Sequence, residues 1–175
     1  INTFYVWALS RMFPEARFLF HLRNPSGVIA SLEKFDVAGG EATARDAALT
    51  IWLKHVRAAW AAEKALGAKR VYRVDFERLN SEPAALMDDI CAFLDEPASQ
   101  DCAAFLNRRL NSSGTHASDI KDELTALAHW SEAQTLYDAI KASSASEHTN
   151  AEADAELRAL YESLSANRPL LGGKS

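Results

Sequence analysis

The stretch FLFHLRNPSGVIAS, residues 18–31, constrains the fold more than any other part of the chain. Its apolar run stops at Arg23, and an Asn-Pro pair follows at once. Residues 17–22 (RFLFHL) suit a strand buried on both faces, as in a parallel sheet. Pro25 then opens a helix at its first turn, where the missing N–H costs nothing, and the pattern predicts that helix to about Phe35. A permanent cation therefore stands at the carboxyl end of a strand, beside the N-terminus of a helix. Ligands of α/β sheets arrive at that edge. A guanidinium next to free backbone N–H groups is a good receptor for an anion. Ser31 lies eight residues after Arg23, about two turns into the helix, and its hydroxyl can turn toward the same anion. Spacing alone equally allows Arg23 to pair with a carboxylate and Ser31 merely to pack.

The rest of the chain alternates helices with one more strand. Residues 3–13 read as a helix ended by Pro14. Residues 42–66 hold the longest helical signal, with Leu49, Trp52, Leu53, Val56 and Trp60 on one face and Gly67 as the C-cap. Residues 70–74 (RVYRV) form a second strand. After a loop, DFERLNSEP, Ser81 caps a helix that carries Pro83 in its first turn. KASSASEHTNAEAD reads as a linker or mobile turn, and a last helix covers roughly 152–165. Two parallel strands alone make a poor sheet, so further strands are expected. The chain starts at Ile1, and part of a larger α/β domain is expected upstream of it.

Composition removes several classes. A 175-residue chain with 48% hydrophobic residues can bury a real core. The net charge of −5 disfavours a broad nucleic-acid surface. No apolar run approaches a membrane span, and the composition fits a cytoplasmic protein. Cys91 and Cys102 read as buried reduced thiols, the histidines do not cluster, and no metal is expected. His21 reads as a packed strand histidine more readily than as a catalytic one.

Two blocks carry a resemblance. FPEARFLFHLRNPSGVIASL and RVYRVDFERLNSEPAALMDDICAFLDEP resemble the sulfotransferase family that uses 3′-phosphoadenosine 5′-phosphosulfate, in its bacterial form. A Trp-rich helix, TIWLKHVRAAW, fills the gap between them, and FLNRRLNSSG is similar to a closing basic loop of that family. The likeness covers roughly residues 12–115. It implies a P-loop-type three-layer α/β domain with short parallel strands, incomplete at the N-terminus, over residues 1–115. A helical C-terminal extension, 116–175, would pack on that domain.

The resemblance also assigns roles. Arg23 and Ser31 occupy the positions that hold the nucleotide 3′-phosphate. Phe76 replaces a tyrosine that contacts the adenine; it can stack on a base or serve as plain core. Glu77 is retained, while Arg78 stands where an aspartate is usual. Arg108 and Arg109 fall in the basic loop, as a phosphate clamp or as solvated charges. The family's phosphosulfate-binding loop and general base have no counterpart, so the catalytic residue stays unknown. The implied activity is sulfuryl transfer from that nucleotide co-substrate to a hydroxyl or amine acceptor, with this chain as part of the active unit. Two other readings remain: a non-catalytic helical interaction module on a degenerate core, and a nucleotide kinase relative without its phosphate loop.

Overall fold

A computed structural model describes residues 2–34, 44–98 and 121–166. A 3₁₀ turn, Asn2–Tyr5, runs into α1, Val6–Met12. Strand β1, Phe18–Leu22, leads to α2, Pro25–Lys34, and α3, Arg45–Leu66. Strand β2, Val71–Asp75, is followed by α4, Phe76–Ser81, and α5, Pro83–Leu94. Three helices complete the order: α6, Lys121–Leu124; α7, Trp130–Ala142; and α8, Ala151–Ala166.

The two strands pair in parallel, Phe18 opposite Val71 through Leu22 opposite Asp75. The Phe18 N–H reaches the Arg70 carbonyl at 2.8 Å. By the alternation of a parallel ladder, Phe18, Phe20 and Leu22 bond toward β2, while Leu19 and His21 turn their backbone groups to the outer edge. Side chains alternate as well. Phe20, Leu22 and Val71 join the core against α3, whereas Val74 packs with Leu86 and Ile90 of α5. The fold is thus mixed α/β, with a short parallel sheet between helices.

Strand β1 is not buried on both faces. Phe20 and Leu22 are buried, but Leu19 and His21 are exposed. On the face that Leu19 and His21 share with Tyr72 and Val74, the buried cluster is built by β2 with Leu86 and Ile90 of α5 and holds no residue of β1. A cavity of about 490 Å³ runs beside β1, between Val6 and Leu9 of α1 and His55 and Val56 of α3.

α3 organises the core. Leu49, Trp52, Leu53 and Val56 are buried on one face, and Gly67 ends the helix with φ +76°, a conformation only glycine adopts without strain. Leu124, Ile140 and Leu157, from the three last helices, are fully buried in the same cluster. Buried in that core, Glu63 forms a bidentate pair with Arg73 at 2.8–2.9 Å. Arg73 also donates to the Ile140 and Ser143 carbonyls, tying β2 to the end of α7.

Four local expectations are corrected. DFERLNS is not a loop but α4, because the Asp75 carboxylate accepts the Glu77 N–H at 3.0 Å and caps it. Ser81 accordingly ends α4 and caps nothing; Glu82 precedes α5 without a side-chain cap. The polar segment before α8 is pinned: the Ser146 carbonyl accepts the Ala68 N–H, and Asn150 caps α8. The thiol of Cys91 is free and half-buried, not fully buried; Cys102 lies outside the described residues. The boundary at residue 115 also lies outside them.

Candidate functional site

The carboxyl ends of β1 and β2 lie side by side, and the two helices that follow start there. β1 ends at Leu22, so Arg23 and Asn24 form the whole turn into α2. Asn24 is what makes that turn work. Its side-chain oxygen accepts the Ser26 N–H at 2.9 Å and the Ser26 hydroxyl at 2.7 Å. It therefore caps α2, with Pro25 in the first helical position. This cap takes up the Ser26 N–H, one of the first backbone N–H groups of α2.

Arg23 is held on three sides. Its carbonyl accepts the Trp52 indole N–H at 3.1 Å, which fixes the turn to α3. Its guanidinium stacks on the Phe76 ring, 4.3 Å from the centroid. Its Nε passes so close to Gly27 that a Cβ there would stand 2.9 Å away. Half-burial lowers the guanidinium pKa, and the nearby Glu77 carboxylate opposes that shift. Arg23 remains a cation.

Ser31 is half-buried and one helical turn beyond Gly27, on the same face of α2. The guanidinium lying over Gly27 thus has the Ser31 hydroxyl as the next polar group along that face. Phe76 opens α4 and is half-buried. It is neither an empty stacking platform nor plain core, because the Arg23 guanidinium covers it. Arg108 and Arg109 lie outside the described residues.

The same rim holds ionisable groups that sequence patterns did not connect. The Asn24 N–H donates to Glu77 Oε1 at 3.3 Å. The Lys141 ammonium of α7 binds Asp75 Oδ2. Burial pushes Glu77 up, and Asp75 beside it pushes further. Burial also pushes Asp75 up, but hydrogen bonds from Glu77 and Lys141 outweigh it and hold that carboxyl below its usual value. Burial, then Glu77, lifts the Tyr137 hydroxyl far above the usual range. Asp75 could have been found from its place just before a helix-forming run; Tyr137 and Lys141 carry no local signal, since α7 arrives from distant sequence.

A cation backed by an aromatic ring, beside a capped helix start at a sheet's carboxyl edge, suits an oxyanion with several oxygens. A sulfotransferase family model matches residues 1–101, which include both strands, Arg23, Ser31, Phe76 and Glu77. The chain belongs to the sulfotransferase family. No curated protein and no solved structure matches it. The membership bears out the resemblance carried by the RNP and RVDFE blocks.

Proposed function

We propose that this sulfotransferase-family chain works on 3′-phosphoadenosine 5′-phosphosulfate, moving the sulfuryl group to a hydroxyl or amine acceptor, within a domain of P-loop type. Arg23 and Ser31 then take the 3′-phosphate, and Phe76 lies beside the adenine. One observation carries the reading: inside the family match, Arg23 stands at the carboxyl edge of the parallel pair, with Ser31 one turn along the helix face that its guanidinium crosses. The guanidinium supplies paired donors to phosphate oxygens, and the Ser31 hydroxyl adds a third.

Calorimetric titration with adenosine 3′,5′-bisphosphate tests this. Arg23→Ala should weaken binding by about 1.5–3 kcal/mol, roughly ten- to a hundredfold, and Ser31→Ala by about tenfold or less. Equal affinity of wild type and Arg23→Ala would place the nucleotide elsewhere.

A further inference from the structure

Arg23 and Asn24 share one peptide group, and side chains from two other helices hold both of its polar ends. Its oxygen, the Arg23 carbonyl, accepts the Trp52 indole N–H of α3 at 3.1 Å. Its N–H, that of Asn24, donates to Glu77 Oε1 of α4 at 3.3 Å. The Trp52 bond is the stronger hold: Trp52 is 4% exposed, so water does not compete for it, whereas Glu77 lies exposed at the rim. The α2 ladder opens one residue later, with the Asn24 carbonyl accepting the Val28 N–H at 3.2 Å. We propose that Trp52 is a positioning residue of the nucleotide site: through the Arg23 carbonyl, its indole N–H sets the direction in which the Arg23 guanidinium reaches for phosphate. The inference rests on the nucleotide reading of Arg23.

The turn is built so that one bond can do this. A peptide group is planar, so fixing its oxygen orients all six of its atoms, the Arg23 Cα among them. Pro25 restricts Asn24 to extended backbone, which leaves the Arg23–Asn24 peptide plane as the main freedom of a two-residue turn. With that plane set, the Arg23 Cβ leaves the chain in one direction. The guanidinium then runs past Gly27 to rest on Phe76, 4.3 Å from the ring centroid. Those two contacts belong to the side chain and rearrange when a phosphate arrives. The Trp52 bond belongs to the backbone and lasts through that movement. Without it, the peptide plane samples other orientations, and only a fraction of them aims Arg23 along the face that leads to Ser31. Affinity falls by that fraction. A Trp52 that only fills the core would leave the aim of Arg23 unchanged.

The test is calorimetric titration of the full chain with adenosine 3′,5′-bisphosphate, in a cycle of Trp52→Phe, Arg23→Ala and the double variant. Phenylalanine keeps an aromatic ring in the core and removes the donor. Trp52→Phe should bind roughly three- to tenfold more weakly than wild type, which corresponds to a correctly aimed fraction of about 0.1–0.3. In the Arg23→Ala background the same substitution should change affinity by less than about twofold, because no guanidinium is left to aim. Unchanged affinity of Trp52→Phe, or an equal loss in both backgrounds, overturns the proposal and leaves the nucleotide reading standing. No binding by wild type, or equal binding by wild type and Arg23→Ala, overturns the nucleotide reading, and this inference with it. The indole N–H gives a second readout, which also decides should Trp52→Phe fail to fold. In proton–nitrogen NMR the Trp52 indole resonance is identified by elimination with Trp7→Phe, Trp60→Phe and Trp130→Phe. It should move when wild type is saturated with nucleotide and stay in place when Arg23→Ala is saturated. A resonance that stays in place in wild type, or moves equally in both proteins, overturns the proposal.

Discussion

At the scale of single residues, the site depends on one missing methyl group. Gly27 lies in the first turn of α2 with Arg23 Nε where its Cβ would be, at 2.9 Å. Elsewhere in a helix, replacing glycine by alanine gains about 0.5–1 kcal/mol through chain entropy. Gly27→Ala should therefore leave stability unchanged or raise it by up to about 0.5 kcal/mol, since the flexible arginine can swing aside. The same swing takes the guanidinium off the helix face that leads to Ser31. Nucleotide affinity should fall roughly three- to tenfold, a loss of about 0.6–1.4 kcal/mol. Denaturant unfolding and calorimetry on one preparation separate the two effects. An unchanged affinity would mean that Arg23 meets the ligand from another direction. This position also marks what sequence spacing can show. Arg23 and Ser31 were legible because a strand end and a helix turn have fixed geometry. The stacking of Arg23 on Phe76 was not, because it needs two sequence-distant helix starts to meet at the parallel pair's edge.

At the scale of elements, β2 is anchored by charge inside the core. Glu63 is 2% exposed, and Arg73 satisfies it while also bonding the last carbonyls of α7. Removing one partner strands the other charge away from water. Arg73→Met should cost about 3–5 kcal/mol, measured by urea unfolding. Arg73→Met with Glu63→Leu should recover a large part of that, because no charge is then left unpaired. Additive losses in this cycle would show that the pair is not coupled. Residues 70–74 looked like an ordinary apolar strand with two interleaved arginines, and nothing local marks Arg73 as buried. Element types were otherwise legible from periodicity, as in α3, whose apolar face and glycine stop agree with the structure. The errors fell where tertiary context decides. Asp75 turned a loop-like stretch into α4, and β1 alternates in burial while the cluster with α5 is built from β2.

At the scale of the whole molecule, the question is whether the last helices form a unit of their own. Their contacts argue for one core. Leu157 and Ala153 of α8 are buried with residues of α3, and Arg11 of α1 binds Asp154 through both carboxylate oxygens. Trp52, at 4% exposure, is part of that core, and Trp60 and Trp130 pack partly buried against it, so these tryptophans serve packing. A core shared in this way should unfold in one step. Trp130 reports on the C-terminal helices and Trp52 on the strand–helix unit, so fluorescence of single-tryptophan variants can follow each part. Their denaturant midpoints should coincide with each other and with far-ultraviolet circular dichroism. Leu157→Ala, which empties a fully buried site, should cost about 2–5 kcal/mol and shift every probe's midpoint together. A shift confined to Trp130 would show that α7 and α8 open separately. In that case Tyr137 and Lys141, which complete the Glu77 cluster from α7, would be lost from the site before the sheet itself unfolds.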